Sequence, residues 1–178
     1  RESRCRRSVP LMGTIVTIDA TPRKVDPEET TGREEAIDRG FEWFRRVEEC
    51  CTRFDPQSEL MQLTARIGMA VPASEILYEA IQFALAVAEE SGGAFDPTVG
   101  YPMEARGFNR DYRSGQIVRS ALEPGDRATY RDVRLDPDRK TITLLRPLLL
   151  DLGAVAKGLA LDMAARELRT FKDFAIEA

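Results

Sequence analysis

The amino-acid sequence predicts an α+β fold in which mixed or antiparallel sheets pack against helices. The 178 residues are 43% hydrophobic and 31% charged, and a chain of about this length can bury roughly 70% of the surface that its unfolded form exposes. Several segments repeat apolar residues at helical spacing, and a hairpin pattern lies between two of them. Because these elements lack the regular strand–helix–strand alternation of a doubly wound sheet, we expect an α+β rather than an α/β architecture.

The N-terminal third is predicted to contain a basic tail, a strand and a long helix. Residues 1–10, with a cluster of arginines, are interpreted as an exposed basic tail. Residues 12–20 (MGTIVTIDA) alternate β-branched with small or polar residues, which is typical of a half-buried strand. Residues 22–32 are expected to form a polar connector. Residues 33–51 then predict an amphipathic helix, whose apolar face consists of Ile37, Phe41, Phe44, Val47 and Cys51.

Two further helices are predicted in the middle of the chain. Ser58 is placed to cap a short helix, and Ser74 to cap a longer core helix that ends at Gly92-Gly93. Residues 93–107 mix glycine and proline, so we expect an irregular loop there. The apolar face of the core helix is predicted to consist of Ile76, Leu77, Ala80, Phe83, Ala84 and Val87.

The C-terminal third is predicted to contain a hairpin, a buried strand and a helix. Residues 133–135 and 141–144 alternate on either side of a five-residue turn, and residues 148–150 (LLL) indicate a short buried strand. Residues 154–169 have helical periodicity. Residues 174–176 begin a further strand with a buried character, and because the chain stops there we expect a C-terminal truncation.

Composition excludes several classes of function. The chain contains no histidine, so no imidazole can act as a base or a metal ligand, and a metal would need the oxygen ligands that favour magnesium or calcium. The net charge of −4 gives no basic surface for nucleic acid. No apolar stretch approaches the ~18 residues of a membrane span. The three cysteines are too few for a disulfide framework, and the Cys50-Cys51 pair is expected to pack inside a helix.

Residues 151–158 (DLGAVAKG) are the first segment that could carry chemistry. They follow the predicted buried strand and open a helix, whose N-terminal N–H groups can bind an anion. Gly153 and Gly158 allow close backbone approach, Lys157 could neutralise a phosphate, and Asp151 could accept hydrogen bonds from a base or a ribose. The segment lacks the spacing of a P-loop or of a dinucleotide-binding glycine motif. A purely structural alternative is a glycine-containing helix start with an Asp cap and a solvated lysine.

Residues 93–100 (GAFDPTVG) are the second such segment. Small residues flank Phe95 and Asp96, which suits stacking against a ring together with backbone contacts. The alternative is a helix-terminating turn that Asp96 holds in place. Met12, beside Gly13 at the start of the first predicted strand, gives a weaker indication, because a methionine there is typical of core packing as well.

Taken together, four motifs resemble those of the ApbE family, the FAD:protein FMN transferases once called thiamine biosynthesis lipoproteins. They are MGTIVTI, TRFDPQSEL, SGGAFDPTVG and DLGAVAKGLALD, and they occur in the family's order and approximate spacing. The resemblance covers residues 11–178, and the DLGxxAKG element is its most specific part. It implies an ApbE-like fold of which this chain is the N-terminal portion.

The resemblance also implies an activity and a set of site residues. Members of the family are magnesium-dependent enzymes that split the pyrophosphate of FAD and transfer FMN to a Thr or Ser hydroxyl of a target flavoprotein, releasing AMP. By resemblance, FAD would be contacted by Met12, Phe54, Ala94, Phe95, Asp96, Asp151 and Lys157. The backbone carbonyl of Ala154 matches a ligand of the Mg²⁺ ion, and a hard cation accepts such an oxygen.

The resemblance has a limit. The family continues with a Gly-Gly-Asp turn, a histidine-containing segment and a late Asp/Thr-bearing loop that completes the metal site, and this sequence contains none of them. We therefore expect the 178-residue chain by itself to be a fragment with little transferase activity. The alternatives are a flavin-binding or flavin-carrier module, an FAD pyrophosphatase, or an inactive truncated family member.

The resemblance further implies a partner and a compartment. The acceptor would be a protein of a membrane electron-transfer complex, and no residue of this sequence identifies it. We expect the periplasmic side of the bacterial cell envelope, with the cytoplasm as the alternative.

Overall fold

The structure, a computed structural model, describes residues 5–21, 27–120 and 127–178, and the side chains of residues 31 onward within the first long helix. Its helices are α1 (Pro27–Cys51), α2 (Glu59–Thr64), α3 (Glu75–Glu90), α4 (Gly100–Ala105) and α5 (Gly153–Leu168). Its strands are β1 (Cys5–Leu11), β2 (Thr14–Thr21), β3 (Val71–Pro72), β4 (Val133–Asp136), β5 (Thr141–Leu144) and β6 (Asp173–Glu177). Both sheets are antiparallel, which confirms the predicted α+β class. Within the described residues, no helix is long and apolar enough to cross a membrane.

The described residues fall into two compact units. One consists of the chain up to Glu48 together with Lys157–Ala178, and the other consists of Glu49–Ala156. We refer to them as the terminal unit and the central unit. The terminal unit holds β1, β2, β6 and most of α1 and α5, and the central unit holds the remaining elements.

The sheet of the terminal unit has the strand order β1-β2-β6. Residues 5–10, expected to belong to an exposed tail over residues 1–10, form most of β1 instead; four of these six residues are exposed, and residues 1–4 lie outside the described part. Pairing with β2 satisfies the backbone groups on one side of β1. Its arginines form ion pairs: Arg7 Nη1 lies 2.7 Å from Asp38 Oδ1, and Arg6 Nη2 lies 3.5 Å from Glu177 Oε2. Basic residues on an edge strand stay accessible to solvent while their backbone is paired.

Met12 and Gly13 form the two-residue turn between β1 and β2, where the sequence predicted the beginning of a strand. Both residues have positive φ, 53° for Met12 and 74° for Gly13, as a type I′ hairpin turn requires. The strand starts at Thr14 instead. A positive φ is uncommon for a methionine, because its Cβ crowds the backbone in that region.

Helix α1 begins earlier than the sequence predicted. The polar connector expected over residues 22–32 is helical from Pro27 onward, and residues 22–26 lie outside the described part. Proline is favoured in the first turn of a helix, since its missing N–H needs no partner there. The predicted apolar face is confirmed, because Ile37, Phe41, Phe44 and Val47 are all at most 1% exposed.

Glycine brings α1 close to the sheet in the terminal unit. A Cβ atom built on Gly40 would lie 2.8 Å from Cδ1 of Ile18 in β2 and 3.7 Å from Cβ of Ala164 in α5. Ile18 and Ala164 are fully buried. A larger residue at position 40 would therefore push the helix away from the strand.

Strand β6 exists as predicted but is not buried. It pairs with β2 from Asp173↔Thr21 to Glu177↔Thr17, and four of its five residues are exposed. As an edge strand it has only one hydrogen-bonded neighbour among the described residues, whereas the apolar letters suggested a central position.

The sheet of the central unit has the order β3-β5-β4. Strands β4 and β5 form the predicted hairpin, with Val133 opposite Leu144 and Asp136 opposite Thr141. Because Asp136 belongs to β4, the turn has one residue fewer than expected. Lys140, at its end, has a φ of 50°.

The helices α2 and α3 start where their caps predicted. Ser58 accepts a hydrogen bond from the backbone N–H of Met61, and Ser74 accepts one from Leu77; such caps satisfy N–H groups that lack a partner inside the helix. Ile76, Leu77, Ala80 and Ala84 are buried as expected. Phe83 is 59% exposed, so its assignment to the buried face is wrong; the buried stripe runs through Ile81 and Ala88 instead.

Two predictions for the loops of the central unit are also corrected. Residues 100–105, expected to be irregular, form the short helix α4. Leu148, Leu149 and Leu150 are at most 1% exposed, but they belong to no strand. Periodicity cannot distinguish a buried strand from a buried extended loop, because both bury consecutive apolar side chains.

Candidate functional site

Asp151 lies in a hydrogen-bonded cluster of the central unit. Its carboxylate Oδ2 accepts a hydrogen bond from Nε of Arg53 at 2.6 Å. Its other oxygen, Oδ1, accepts one from the backbone N–H of Gly153 at 2.9 Å. Its own backbone N–H donates to the carbonyl oxygen of Pro97 at 2.8 Å. The position and orientation of the carboxylate are thus fixed from three directions, directly before α5.

Arg53 is the residue that joins this cluster to its surroundings. Its side chain is only 4% exposed, and besides Asp151 it donates to the backbone carbonyl oxygen of Phe108. The guanidinium also lies over the ring of Phe54, 4.3 Å from the ring centre. A buried cation is stable only when its charge is paired and its N–H groups have acceptors, and these three contacts meet that need.

Sequence reasoning did not find Arg53. The available signal was an arginine next to an aromatic residue in TRFDP, between two helices. A sequence cannot reveal that such a side chain is buried, since most arginines are exposed. Its partners Phe108 and Asp151 are 55 and 98 positions away.

Asp96 holds the turn that follows α3. Its Oδ1 accepts hydrogen bonds from both the backbone N–H and the hydroxyl of Thr98, at 2.9 and 2.7 Å. Its Oδ2 accepts one from the backbone N–H of Tyr130 at 3.1 Å. These bonds are what the structural alternative for this segment requires. A contact between Asp96 and FAD stays a prediction.

The residues before Asp96 complete the same turn. The backbone N–H of Ala94 donates to the carbonyl oxygen of Ser91 at 3.2 Å, and that of Phe95 donates to the hydroxyl of Ser91 at 3.1 Å. Ala94 is exposed and Phe95 is half-buried. A ligand could therefore reach both side chains from solvent.

The turn and the Asp151 cluster are neighbours in the central unit. Pro97 accepts the hydrogen bond from Asp151, and the N–H of Gly100 donates to the carbonyl oxygen of Leu149 at 3.0 Å. A Cβ atom on Gly100 would lie 2.5 Å from that oxygen, so only glycine permits this approach. The structure thus connects two of the segments that the sequence singled out, and Phe54 joins them through Arg53.

Met12 and Lys157, the other two candidate FAD residues, belong to the terminal unit. Met12 is half-buried in the β1–β2 turn, and Lys157 is half-buried in α5. Each is accessible within its own unit. Their contact with FAD stays a prediction.

A cavity of about 920 Å³ opens in the central unit beside Asp96. Its wall includes the cationic residues Arg106, Arg119 and Arg127 and the apolar residues Met103 and Leu148. Cavities of this size typically hold ligands as large as a nucleotide. Burial raises the pKa of the Tyr101 hydroxyl, which also lines the cavity, so this phenol stays neutral at physiological pH.

A magnesium site is not assembled by the described residues alone. Among residues 5–21, 27–120 and 127–178, no group of three or more His, Cys, Asp or Glu side chains could hold a metal ion. Ala154, in the first turn of α5, offers a backbone carbonyl. Magnesium in proteins is usually bound through one or two carboxylates and substrate phosphates, and both oxygens of Asp151 already accept hydrogen bonds.

The cysteine pair at the end of α1 has a structural character. Cys51 is 6% exposed. The hydrogen bond that the Cys51 thiol donates to Cys50, together with burial, raises the pKa of the Cys51 thiol far above its usual range. A thiol with a raised pKa stays protonated and is a poor nucleophile, in agreement with the sequence interpretation.

Three comparisons with known proteins bear on this site. A family model described as the ApbE family matches residues 12–178. A protein named FAD:protein FMN transferase, from Treponema pallidum (strain Nichols), is 30% identical over an alignment of 134 residues that covers 71% of this chain and 37% of that protein.

Solved structures share the fold. The ApbE protein of Thermotoga maritima MSB8 has a TM-score of 0.79 at 25% identity, over 99% of this chain and 57% of that one. The flavinyl transferase ApbE of Pseudomonas stutzeri, in its apo form, has a TM-score of 0.78 at 18% identity, over 99% of this chain and 56% of that one. The chain thus spans little more than half the length of these structures, and about a third of the curated relative.

Proposed function

Because the chain belongs to the ApbE family, we propose that it binds FAD and takes part in transferring FMN from FAD to a Thr or Ser hydroxyl of a target flavoprotein. The observation that carries this proposal is the family match, which runs through every candidate segment from Met12 onward. The name of the Treponema relative describes the same activity.

The arrangement of the central unit supports a binding role for its candidate residues. Phe54 and Asp151 both contact one buried arginine. Pro97 and Gly100, which follow the Ala94-Phe95-Asp96 turn, are hydrogen-bonded to the segment that ends in Asp151. We propose that Phe54 packs on the flavin nucleotide and that the turn lines the adenine side. For Met12, in the terminal unit, a contact with the flavin nucleotide is proposed from the family resemblance alone. In this proposal Asp151 accepts a hydrogen bond from FAD, and Lys157 neutralises part of the pyrophosphate charge.

The proposed reaction is a phosphoryl transfer. The acceptor oxygen forms a bond to the phosphorus of the FMN half, the bond from that phosphorus to the bridging oxygen breaks, and AMP leaves with the bonding electron pair. The hydroxyl proton passes to solvent. Such a reaction depends on positioning and charge neutralisation more than on covalent chemistry by the protein, so a chain without histidine can contribute to it.

Magnesium dependence is proposed from the family resemblance. The Ala154 carbonyl is the one ligand that the resemblance implies within this chain, and the described residues lack a cluster of acidic ligands. For the same reason we expect the 178-residue chain by itself to release little AMP.

The partner and the compartment are proposed from the family resemblance as well. We propose as acceptor a flavin-bearing protein of a membrane electron-transfer complex, on the periplasmic side of the bacterial cell envelope. Cytoplasmic action is the alternative.

Calorimetric titration with FAD, together with chromatography of AMP and flavin products in the presence of Mg²⁺, tests the function. We expect saturable 1:1 binding of FAD and AMP release close to the rate without protein. Failure to bind FAD in a folded sample would contradict the proposal. AMP release with an equal amount of free FMN would instead identify an FAD pyrophosphatase.

A flavin-binding module is the second candidate function, because both carboxylate oxygens of Asp151 already accept hydrogen bonds from protein groups, Arg53 and Gly153, an arrangement suited to holding a ligand. The two candidate functions predict different products when an acceptor protein is added. With a Thr-bearing flavoprotein added, a transferase, even one as slow as we expect for this chain, leaves flavin fluorescence on the acceptor band of a denaturing gel and releases one AMP per flavin attached. A carrier leaves the acceptor dark and retains intact FAD.

A further inference from the structure

We propose that Arg53 is a positioning residue for the flavin nucleotide, acting through the Asp151 carboxylate that it holds at 2.6 Å and the Phe54 ring over which it lies. This inference rests on the proposed function, since it concerns how that site holds FAD. Arg53 is not proposed to touch the ligand, because its side chain is 4% exposed and its donors face protein acceptors.

Arg53 fixes the orientation of the Asp151 carboxylate. A free aspartate side chain rotates about its terminal torsion over a broad range. Asp151 cannot do so, because one oxygen is held by the side chain of Arg53 and the other by the N–H of Gly153. Without Arg53, the carboxylate would keep only one of these two hydrogen bonds, the short-range one from the N–H of Gly153. The orientation of the carboxylate toward a ligand at the start of α5 therefore depends on Arg53.

The positive charge of Arg53 offsets the negative charge of Asp151. FAD carries negative charge on its pyrophosphate, and an unpaired carboxylate beside it would repel the ligand. The guanidinium places a positive charge against Asp151 in a region from which water is largely excluded, where charges interact more strongly than in solvent. Arg53 thus allows an acidic residue to serve as a hydrogen-bond acceptor in an anion site.

The side chain of Arg53 connects three separate loops. Arg53 follows α1, Phe108 follows α4, and Asp151 precedes α5, and all three meet at the same guanidinium. A lysine could not reproduce this arrangement, because it lacks the planar fork that contacts two acceptors in fixed directions.

The experiment compares four variants of the chain with the wild type: R53M, R53K, D151N and the double variant R53M/D151N. The matched control is R146M, which breaks another Arg–Asp pair of the central unit. In that pair Arg146 Nε lies 3.0 Å from Asp132 Oδ1, and the arginine side chain is 45% exposed. FAD affinity is measured by fluorescence titration. Amide hydrogen exchange at Gly153 is measured by NMR without ligand, and folding is checked by circular dichroism.

We expect R53M to weaken FAD binding about 10- to 100-fold, as the loss of a charged hydrogen-bond partner does. R53K should recover part of that loss, and R146M should stay within about twofold of the wild type. The double variant should bind FAD no more weakly than R53M, because D151N removes the charge that Arg53 compensates. FAD affinity of R53M within twofold of the wild type, or additive losses in the double variant, would overturn the proposal.

The exchange measurement separates this inference from the proposed function. We expect R53M to speed exchange of the Gly153 amide about tenfold, because its acceptor becomes mobile. Unchanged exchange would overturn the positioning role whatever the FAD result. A wild-type chain that binds no FAD would contradict the proposed function and the ligand half of this inference together. If R53M does not fold, R53K decides, since wild-type FAD affinity together with wild-type exchange in R53K contradicts the need for a guanidinium.

Discussion

Glu167 joins α1 and α5 inside the terminal unit. Its carboxylate accepts hydrogen bonds from Trp43 Nε1 at 3.0 Å and from Arg39 Nε at 2.8 Å. The hydrogen bond from Trp43 and that from Arg39 together lower the pKa of Glu167 below its usual value. A lowered pKa means that the ionised form is favoured in the folded state.

We predict that Glu167→Gln destabilises the protein by about 0.5–1 kcal/mol at neutral pH, the usual size of a partly exposed ion pair with a neutral hydrogen bond retained. Because the folded pKa is lowered, the contribution of Glu167 is complete above its unfolded pKa and disappears as the pH falls through the folded one. Urea unfolding of both proteins between pH 7 and pH 3 measures this. A difference in the free energy of unfolding that stays undiminished or grows as the pH falls to 3 would contradict the stabilising role of ionised Glu167.

Buried charge is the residue-scale feature that the sequence concealed. Arg53 and Asp151 form a largely buried pair, although each looks like an ordinary surface residue in the sequence. Asp151 was identified through its motif and Arg53 was not. The difference arises because a local motif can be read along the chain, whereas the burial of a side chain depends on segments far away in sequence.

At the scale of elements, the helices were predicted best. Their caps and apolar spacing are local, so Ser58, Ser74 and the face of α1 were found correctly. Helix α4 was missed, because a glycine at its first position, a proline at its third and another glycine shortly after its end resemble a loop. Its first residue is held by close packing of Gly100 against Leu149, which is a tertiary contact.

A pair of helix glycines provides a test at this scale. Gly32 and Gly158 are each the sixth residue of a helix, α1 and α5, and a Cβ on either would meet no atom within 4 Å. Glycine inside a helix costs about 0.5–1 kcal/mol relative to alanine. We predict that Gly32→Ala and Gly158→Ala each raise the free energy of unfolding by that amount, measured by urea denaturation.

The two variants should differ in FAD binding. If the ligand approaches the backbone of α5, the new methyl group of Gly158→Ala lowers FAD affinity about tenfold, while Gly32→Ala leaves it unchanged. Equal FAD affinities in the two variants would mean that Gly158 is a feature of the helix and not of the ligand site.

At the scale of the whole molecule, ligand binding should be visible as stability. A ligand at 100 times its Kd stabilises the folded state by about 2.7 kcal/mol, and each kcal/mol raises Tm by roughly 2–4 °C in a chain of this size. We therefore predict that saturating FAD raises Tm by about 5–10 °C, measured by near-UV circular dichroism. NAD⁺, which shares the adenosine diphosphate half, is the control and should raise Tm by less than about 2 °C. An equal shift with NAD⁺ would contradict recognition of the flavin.

The sequence by itself determined the α+β class, the positions of the main helices and of the β4–β5 hairpin, and the segments that carry the family motifs, because periodicity, caps and motifs are local properties of the chain. Only the tertiary structure decided that residues 5–10 form a strand, that β6 lies exposed at a sheet edge, and that Arg53 joins Phe54, Phe108 and Asp151. The β1–β2 pairing is local, but its turn places a methionine at positive φ, which is uncommon. The pairing of β6 with β2 and the contacts of Arg53 with Phe108 and Asp151 join residues far apart in sequence. Pairing and burial are set by those contacts, and no local pattern records them.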